Sequence, residues 1–303
     1  MIKRTLYFGN PCYLSKRDLQ LLVEFPEKEK EARTVPIEDI GIILLDNQQI
    51  TITQGLMVAL LANNAAVLSC DATHLPLGMM LNLNGHSELT EKWRYQLDSS
   101  LPLRKNLWML TVKAKIANQA AVLKLKGIDA DNMDHWVTQV KSGDPSNLES
   151  RAANYYWQRL FNPDVKFGGR HRFGDAPNNL LNYGYSIVRS MMARALVSSG
   201  MLPAVGIFHR NKYNPFCLAD DIMEPYRPFV DLVVLDIIEK NDDIDELNTE
   251  LKRALLQVAT IDVVIENKVG PMMVQMQRTT ASLMQCFMGH SRKILYPTIP
   301  HEF

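Results

Sequence analysis

The chain has 303 residues, enough for about two domains at ~150 residues each. It carries 33 Lys and Arg against 33 Asp and Glu, with 47% apolar and 22% charged residues. That composition excludes a disordered chain, a collagen-like repeat and a strongly basic, tail-like nucleic-acid binder. The zero total conceals a partition. Residues 92–126 hold eight basic residues against Asp98, a net +7, and residues 151–215 hold nine against Asp164 and Asp175, again +7. Residues 216–250 hold eleven acidic residues against Arg227 and Lys240, a net −9. A neutral total therefore leaves a polyanion open as partner.

Strands are predicted at 2–8, 13–14, 19–25, 33–35 and 40–45, where β-branched and aromatic residues are separated by polar or Pro-containing turns. Glu27 to Ala32 reads as a solvated loop tip. Thr53 caps a helix whose Leu56, Leu60 and Leu61 recur at helical spacing until Asn63-Asn64 ends it. Strands follow at 66–70 and 77–83.

Beyond residue 89 the period changes. Leu103, Leu107, Leu110, Ala114, Ala117, Ala121 and Leu125 mark a long amphipathic helix with Lys113, Lys115, Lys124 and Lys126 off its apolar stripe. Further helices are predicted at 131–140, from a cap-like Asn147 to about 161, at 180–202 before Pro203, and at 218–239, 243–258 and 271–289. Asn162 to Asn178 has no periodicity and reads as a surface loop. Met272, Met273, Met276, Met284 and Met288 sit at helical spacing and read as core. The expected architecture is α+β: a small N-terminal β-rich, β-sandwich-like domain over 1–80, then a larger, mostly α-helical domain over 90–303.

Cys12, Cys70, Cys217 and Cys286 are far apart and form no C-x-x-C pair, as buried thiols of a reducing compartment would. No secretory signal opens the sequence and no run approaches 18 apolar residues. The expectation is a cytoplasmic protein without a membrane span.

Four acidic or imidazole positions stand out. Glu149 opens the helix NLESRAANYYW, either as a first-turn carboxylate facing the helix dipole or as a ligand where the Ala152, Ala153, Tyr156, Leu160 face meets solvent. His209 follows a Gly-containing bend beside Arg210 and Lys212, cations that disfavour the imidazolium and leave the neutral ring a metal ligand requires. Asp221 and Glu224 stand at i and i+3 in LADDIMEPYRPF, either as an acidic cap or as a pair that a divalent cation compensates. Arg227, three residues further on, is an alternative internal partner for Glu224. Pro225 and Pro228 require a helix start or a kink there. This O/N donor set suits Mg²⁺ or Mn²⁺, with Zn²⁺ as the alternative; no organic cofactor is indicated. The loop FGGRHRFGD offers Arg170, His171 and Arg172 as phosphate donors, and Asn178, Asn182, Tyr183 and Tyr185 follow as polar and stacking groups. Arg170, His171, Arg172, Asn182, Tyr183, Arg210 and Lys212 are the DNA-binding candidates.

The ordered segments NLESRAANYYW, GGRHRFGDAPNNLLNYGY and LPAVGIFHRNKYNPFCLADDIMEPYRP resemble the CRISPR-associated integrase family, the Cas-one proteins. They are most similar to the branch that accompanies the single-protein, dual-RNA-guided effector nuclease. The resemblance implies a Mg²⁺ or Mn²⁺ site of Glu149, His209 and Glu224, catalytic as well as metal-binding, with Asp221 as supporting acid. It implies a β-rich dimerisation domain and a catalytic, DNA-binding helical domain. It also implies a homodimer, a heterohexamer with the small Cas-two protein, and double-stranded prespacer and leader–repeat DNA as substrates. The effector nuclease and an accessory adaptation protein are further implied partners. The implied chemistry is insertion of short spacers by 3′-hydroxyl attack at the repeat ends, with endonuclease activity on the same site. Two other classes stand beside it: a catalytically silent DNA-binding assembly scaffold, and a zinc-dependent hydrolase of a small substrate.

Overall fold

The structure is a computed structural model describing residues 3–27, 30–72, 74, 76–82, 88–162, 164–165, 167–171, 174–241 and 243–299. The chain divides into two compact units, Met1–Ser87 and Glu88–Phe303.

The first unit has two four-stranded sheets. One runs in the order β1-β5-β7-β8, from β1 (Arg4–Phe8), β5 (Ile40–Leu45), β7 (Ala66–Cys70) and β8 (Pro76–Met80). Its first three strands are parallel and β8 is antiparallel to β7. The other runs β4-β3-β2-β6, from β2 (Tyr13–Arg17), β3 (Gln20–Glu24), β4 (Arg33–Pro36) and the two-residue β6 (Thr51–Ile52). Helix α1 (Gln54–Ala62) begins where Thr53 accepts a hydrogen bond from the Leu56 N–H, the predicted cap. Leu14, Leu21 and Val23 of one sheet share a buried cluster with Ile40, Ile43 and Val67 of the other and with Leu56 and Leu60 of α1. Both sheets thus serve one core, as the sandwich-like expectation required. The continuous apolar run IGIILL follows from β5 being an inner strand, with Ile42 and Ile43 on opposite faces both buried. β2 is longer than predicted because the polar Ser15, Lys16 and Arg17 still pair with β3. Residues 28 and 29 of the loop tip and Leu83 lie outside the described residues.

The second unit is helical, with one hairpin. Its elements are α2 (Leu89–Leu97), α3 (Leu101–Leu125), α4 (Asp131–Gln139), α5 (Leu148–Leu160), α6 (Asn178–Ser198), α7 (Cys217–Met223), α8 (Arg227–Lys240), α9 (Thr249–Leu256), β9 (Asp262–Ile265), β10 (Lys268–Pro271) and α10 (Met272–Phe287). α3 is capped by Ser100, which accepts from the Leu103 N–H, and packs against α4, α5, α7 and α8. It is not simply amphipathic: its second half is buried on nearly every face. The predicted helix 180–202 stops at Ser198, because Gly200, at φ +80°, closes a Schellman turn with Met201 N–H donating to the Leu196 carbonyl at 2.9 Å.

The predicted helix 218–239 is two helices. A 3-10 turn over Glu224–Tyr226 separates α7 from α8, with Pro225 inside it and Pro228 in the first turn of α8. The predicted helix 243–258 begins only at Thr249: Asn248 caps α9 by accepting from the Glu250 and Leu251 N–H groups. Asp243, Asp245 and Glu246 therefore precede the helix, and Asp242 lies outside the described residues. The β9–β10 hairpin and α2 were not foreseen. Among the described residues no helix is long and apolar enough to cross a membrane.

Candidate active site

Three chain segments of the helical unit meet at the candidate residues. Glu149 stands in the first turn of α5. Asn147 occupies the cap position with a left-handed backbone and makes no side-chain cap. The cap comes instead from Asp144, whose carboxylate accepts from the N–H groups of Leu148 at 3.0 Å and Glu149 at 2.9 Å.

His209 ends an irregular segment anchored by Gln96 of α2. The Gln96 amide donates to the carbonyls of Leu202 and Val205 and accepts from the Leu202 N–H. Gly206 is required in the bend: a Cβ there would stand 2.4 Å from the His209 carbonyl oxygen and 2.8 Å from Asp221 Oδ2. Asp221, fully buried on α7, takes up this segment. It accepts from the Phe208 N–H at 2.9 Å and from His209 Nδ1 at 2.5 Å. With Nδ1 so engaged, Nε2 is the ring nitrogen left for a ligand. Phe208 stacks on Trp108 of α3 at 4.2 Å, and the His209 ring meets Trp108 edge-on at 5.6 Å. Asp220 faces elsewhere, bound by Arg189 and by Asn214 at 2.7 Å.

Glu224 is set by the helix break. Asn118 of α3 donates to the Pro225 carbonyl at 2.8 Å and the Pro297 carbonyl at 3.0 Å, and accepts from the Ile299 N–H at 3.2 Å. That pins the turn carrying Glu224.

What Glu149 and Glu224 share is a lysine. Lys115 Nζ lies 2.7 Å from Glu149 Oε1 and 2.6 Å from Glu224 Oε2, with its side chain only 12% exposed. Arg227 Nε stands 2.9 Å from the other Glu224 oxygen, the internal pairing foreseen for it. Lys115 was read as lying off the packed stripe of its helix, and the structure corrects this. Thr111, Lys115, Asn118 and Gln119 recur at i, i+4, i+7 and i+8, a polar stripe within a buried helix that marked these residues in the sequence. Burial opposes the Lys115 charge, but Glu224 and Glu149 outweigh it and its pKa is raised.

His209 also departs from expectation. Its hydrogen bond to Asp221 raises its pKa against the effect of burial, and Glu224 and Glu149 add to the rise. The contacting carboxylate outweighs Arg210 and Lys212, whose charges are exposed to solvent.

Burial pushes the Glu224 carboxyl up, yet Arg227 and Lys115 overcome it and hold it at about 2 instead of 4.5. A carboxyl depressed in the folded state contributes stability above its unfolded pKa, which is lost as pH falls through the folded value. With EDTA present, stability should fall by about 3 kcal/mol more between pH 4.5 and 2 in the wild type than in Glu224→Gln. Urea titrations across that window measure it, and parallel curves would contradict the pairing.

As they stand, no three of the described His, Cys, Asp or Glu side chains form a group able to hold a metal ion. The donor chemistry nevertheless fits a divalent ion. Two carboxylates already converge on one cation, and an imidazole with a carboxylate behind its Nδ1 lies within electrostatic reach of both.

The DNA-binding candidates separate. His171, Arg210 and Lys212 are exposed. Arg210 and Lys212 line an open pocket of about 660 Å³ with His209, Arg104 and Tyr213. Tyr213, 81% exposed, and Arg104 were missed. Tyr183 is fully buried in α6 and cannot stack on a base; Tyr185 and Asn178 are buried too. Basic and aromatic residues do interleave, but at Arg210, Lys212 and Tyr213. Arg170 is a strut of its loop: it donates to the His171 carbonyl, to Asn178 at 3.0 Å and to Asn182 at 2.6 Å, above the Tyr185 ring. Asn182 is engaged by that contact, and Arg172 lies outside the described residues.

Comparison with known proteins places this architecture. A casposase bound to integration product superposes with a TM-score of 0.80 at 20% identity, over 97% of this chain and 92% of that one. A Cas6-RT-Cas1–Cas2 complex matches with a TM-score of 0.77 at 20% identity, over 98% of this chain and 36% of that one. The fold, a strand-rich unit followed by a helical one, is the fold of these structures. The family profile described as CRISPR associated protein Cas1 matches residues 6–267. The CRISPR-associated endonuclease Cas1 of Neisseria meningitidis serogroup C (strain 8013) is 38% identical over 270 residues, 88% of this chain and 86% of its own. The chain belongs to the CRISPR-associated Cas1 family.

Proposed function

We propose that this chain is a divalent-metal-dependent DNA endonuclease and integrase that inserts short DNA spacers into a CRISPR repeat array. The observation that carries the reading is the convergence of Glu149 and Glu224 on one cation beside His209, itself oriented by Asp221. Glu149, Glu224 and His209 Nε2 would hold the ion, Mg²⁺ or Mn²⁺. Bound there, it would polarise a phosphoryl oxygen and offset the charge that develops in an in-line displacement. The chain's own residues do the rest. Asp221 fixes the imidazole, and the Asn118-pinned turn fixes Glu224. Arg104, Arg210 and Lys212 draw the phosphate backbone to the open face beside His209, with Tyr213 as a surface for a base. The nucleophile, a DNA 3′-hydroxyl or water, comes from outside the chain, so placement and electrostatics supply the catalysis.

The names of the relatives support an endonuclease and an integration activity, and a complex containing Cas2 supports that small protein as partner. We assign the β-rich unit to homodimer formation and the working assembly to a heterohexamer with Cas2.

The test is strand transfer from a labelled short duplex into a leader–repeat target with Cas2 present. Product is expected with Mg²⁺ or Mn²⁺ and none in EDTA. Duplex binding without product under any divalent ion would make the chain a DNA-binding assembly scaffold. Stoichiometric tightly held zinc would favour a zinc hydrolase.

A further inference from the structure

Two carboxylates brought together with little access to water repel one another unless a cation lies between them. Here the chain supplies that cation itself, with Lys115 Nζ within 2.7 Å of both Glu149 and Glu224. Resting on the metal-site reading above, we propose that Lys115 is a built-in placeholder for the divalent ion, displaced from the carboxylates when the ion binds. Two cations cannot share one position between the same oxygens, so occupation is competitive.

The structure also provides a place for the displaced ammonium. A cavity of about 200 Å³ adjoins Glu224 and is lined further by Lys115, Gln119, Arg170, Arg227 and Asp231. Gln119 lies one turn further along α3, the spacing at which helical side chains meet. It is only 3% exposed, and its Oε1 is buried with no hydrogen-bond partner among the described residues. An acceptor left unpaired in such a position is costly, and an ammonium donor would satisfy it. The flexible four-carbon lysine stem lets the head turn from the carboxylates toward Gln119, which lines the same cavity. Lys115 therefore has two stations: between Glu149 and Glu224 without the ion, and at Gln119 with it. The first keeps the site assembled before the metal arrives, and the second retains a positive charge beside it.

Mn²⁺ affinity of the full-length chain, measured by titration calorimetry without DNA, tests this. Lys115→Met removes the competitor and should tighten binding about tenfold, while Gln119→Leu removes the second station and should weaken it about threefold. Without metal, Lys115→Met should melt below the wild type, and Mn²⁺ should restore the difference. Wild-type or weaker Mn²⁺ affinity in folded Lys115→Met would overturn the proposal. Should that variant not fold without metal, unchanged affinity in Gln119→Leu overturns it instead. Glu149→Ala separates the two readings: if it binds Mn²⁺ as the wild type does, the metal site itself is wrongly placed.

Discussion

Glu149→Gln should reduce metal-dependent strand transfer about a thousandfold, because it removes one of two carboxylate charges facing the ion, an effect worth several kcal/mol. The amide keeps the shape of the side chain and the Asp144 cap of α5, which binds only backbone N–H groups. Duplex affinity and its salt dependence, measured in EDTA, should be unchanged, since Glu149 contacts no proposed phosphate ligand. The pairing of losses matters more than the size of either. A first-turn glutamate that merely faced the helix dipole would cost about 1 kcal/mol of stability and leave product formation intact. Single-turnover strand transfer and a binding isotherm on the same preparation distinguish the two.

Asn118→Leu should lower the melting temperature by about 10 °C, at the usual 2–4 °C per kcal/mol for a unit of this size. Asn118 is 2% exposed and serves three backbone groups: the carbonyls of Pro225 and Pro297 and the Ile299 N–H. Leucine has the volume but none of the partners, so each stranded group costs about 1–3 kcal/mol. The loss is also functional, because Pro225 follows Glu224 in the turn between α7 and α8. Strand transfer measured well below the melting temperature should fall with the stability. A shift below about 2 °C would mean that water or a rearranged turn replaces the amide.

Much of this architecture was legible in the chain, for reasons specific to each element. Thr53, the Leu56–Leu60 spacing and the apolar run of β5 are local signals, and local signals were sufficient there. The change of period near residue 89 separated strands from helices. The Glu266-Asn267 turn of the β9–β10 hairpin was missed because both residues adopt positive φ without the glycine that usually announces it. Tyr183 was misread for a different reason: polar and aromatic residues beside a basic loop resemble a binding surface, but α6 is buried on nearly every face. The helix prediction over 218–239 contained its own correction in Pro225 and Pro228.

The candidate site was legible in type and illegible in partnership. Glu149, His209, Asp221 and Glu224 were named from their motifs, and the resemblance joined them. Lys115 was read only as a cation off the apolar stripe of its helix, and Gln119, Asn118 and Asp144 were not named, although all four hold or face those residues. Ion pairs between α3 and α5, and between α3 and the α7–α8 turn, depend on tertiary packing that no local window contains. Only the polar stripe along α3 hinted at them. The same packing explains why His209 answers to Asp221 rather than to its sequence neighbours.

Glu149, His209 and Glu224 should together hold one divalent metal ion. Anomalous diffraction from crystals soaked in Mn²⁺ tests it most directly. One strong peak is expected between the Glu149 and Glu224 carboxylates, within bonding distance of His209 Nε2, with the Lys115 ammonium turned toward Gln119. Saturating Mn²⁺ with Lys115 still bridging the two glutamates, and no peak beside His209, would contradict it.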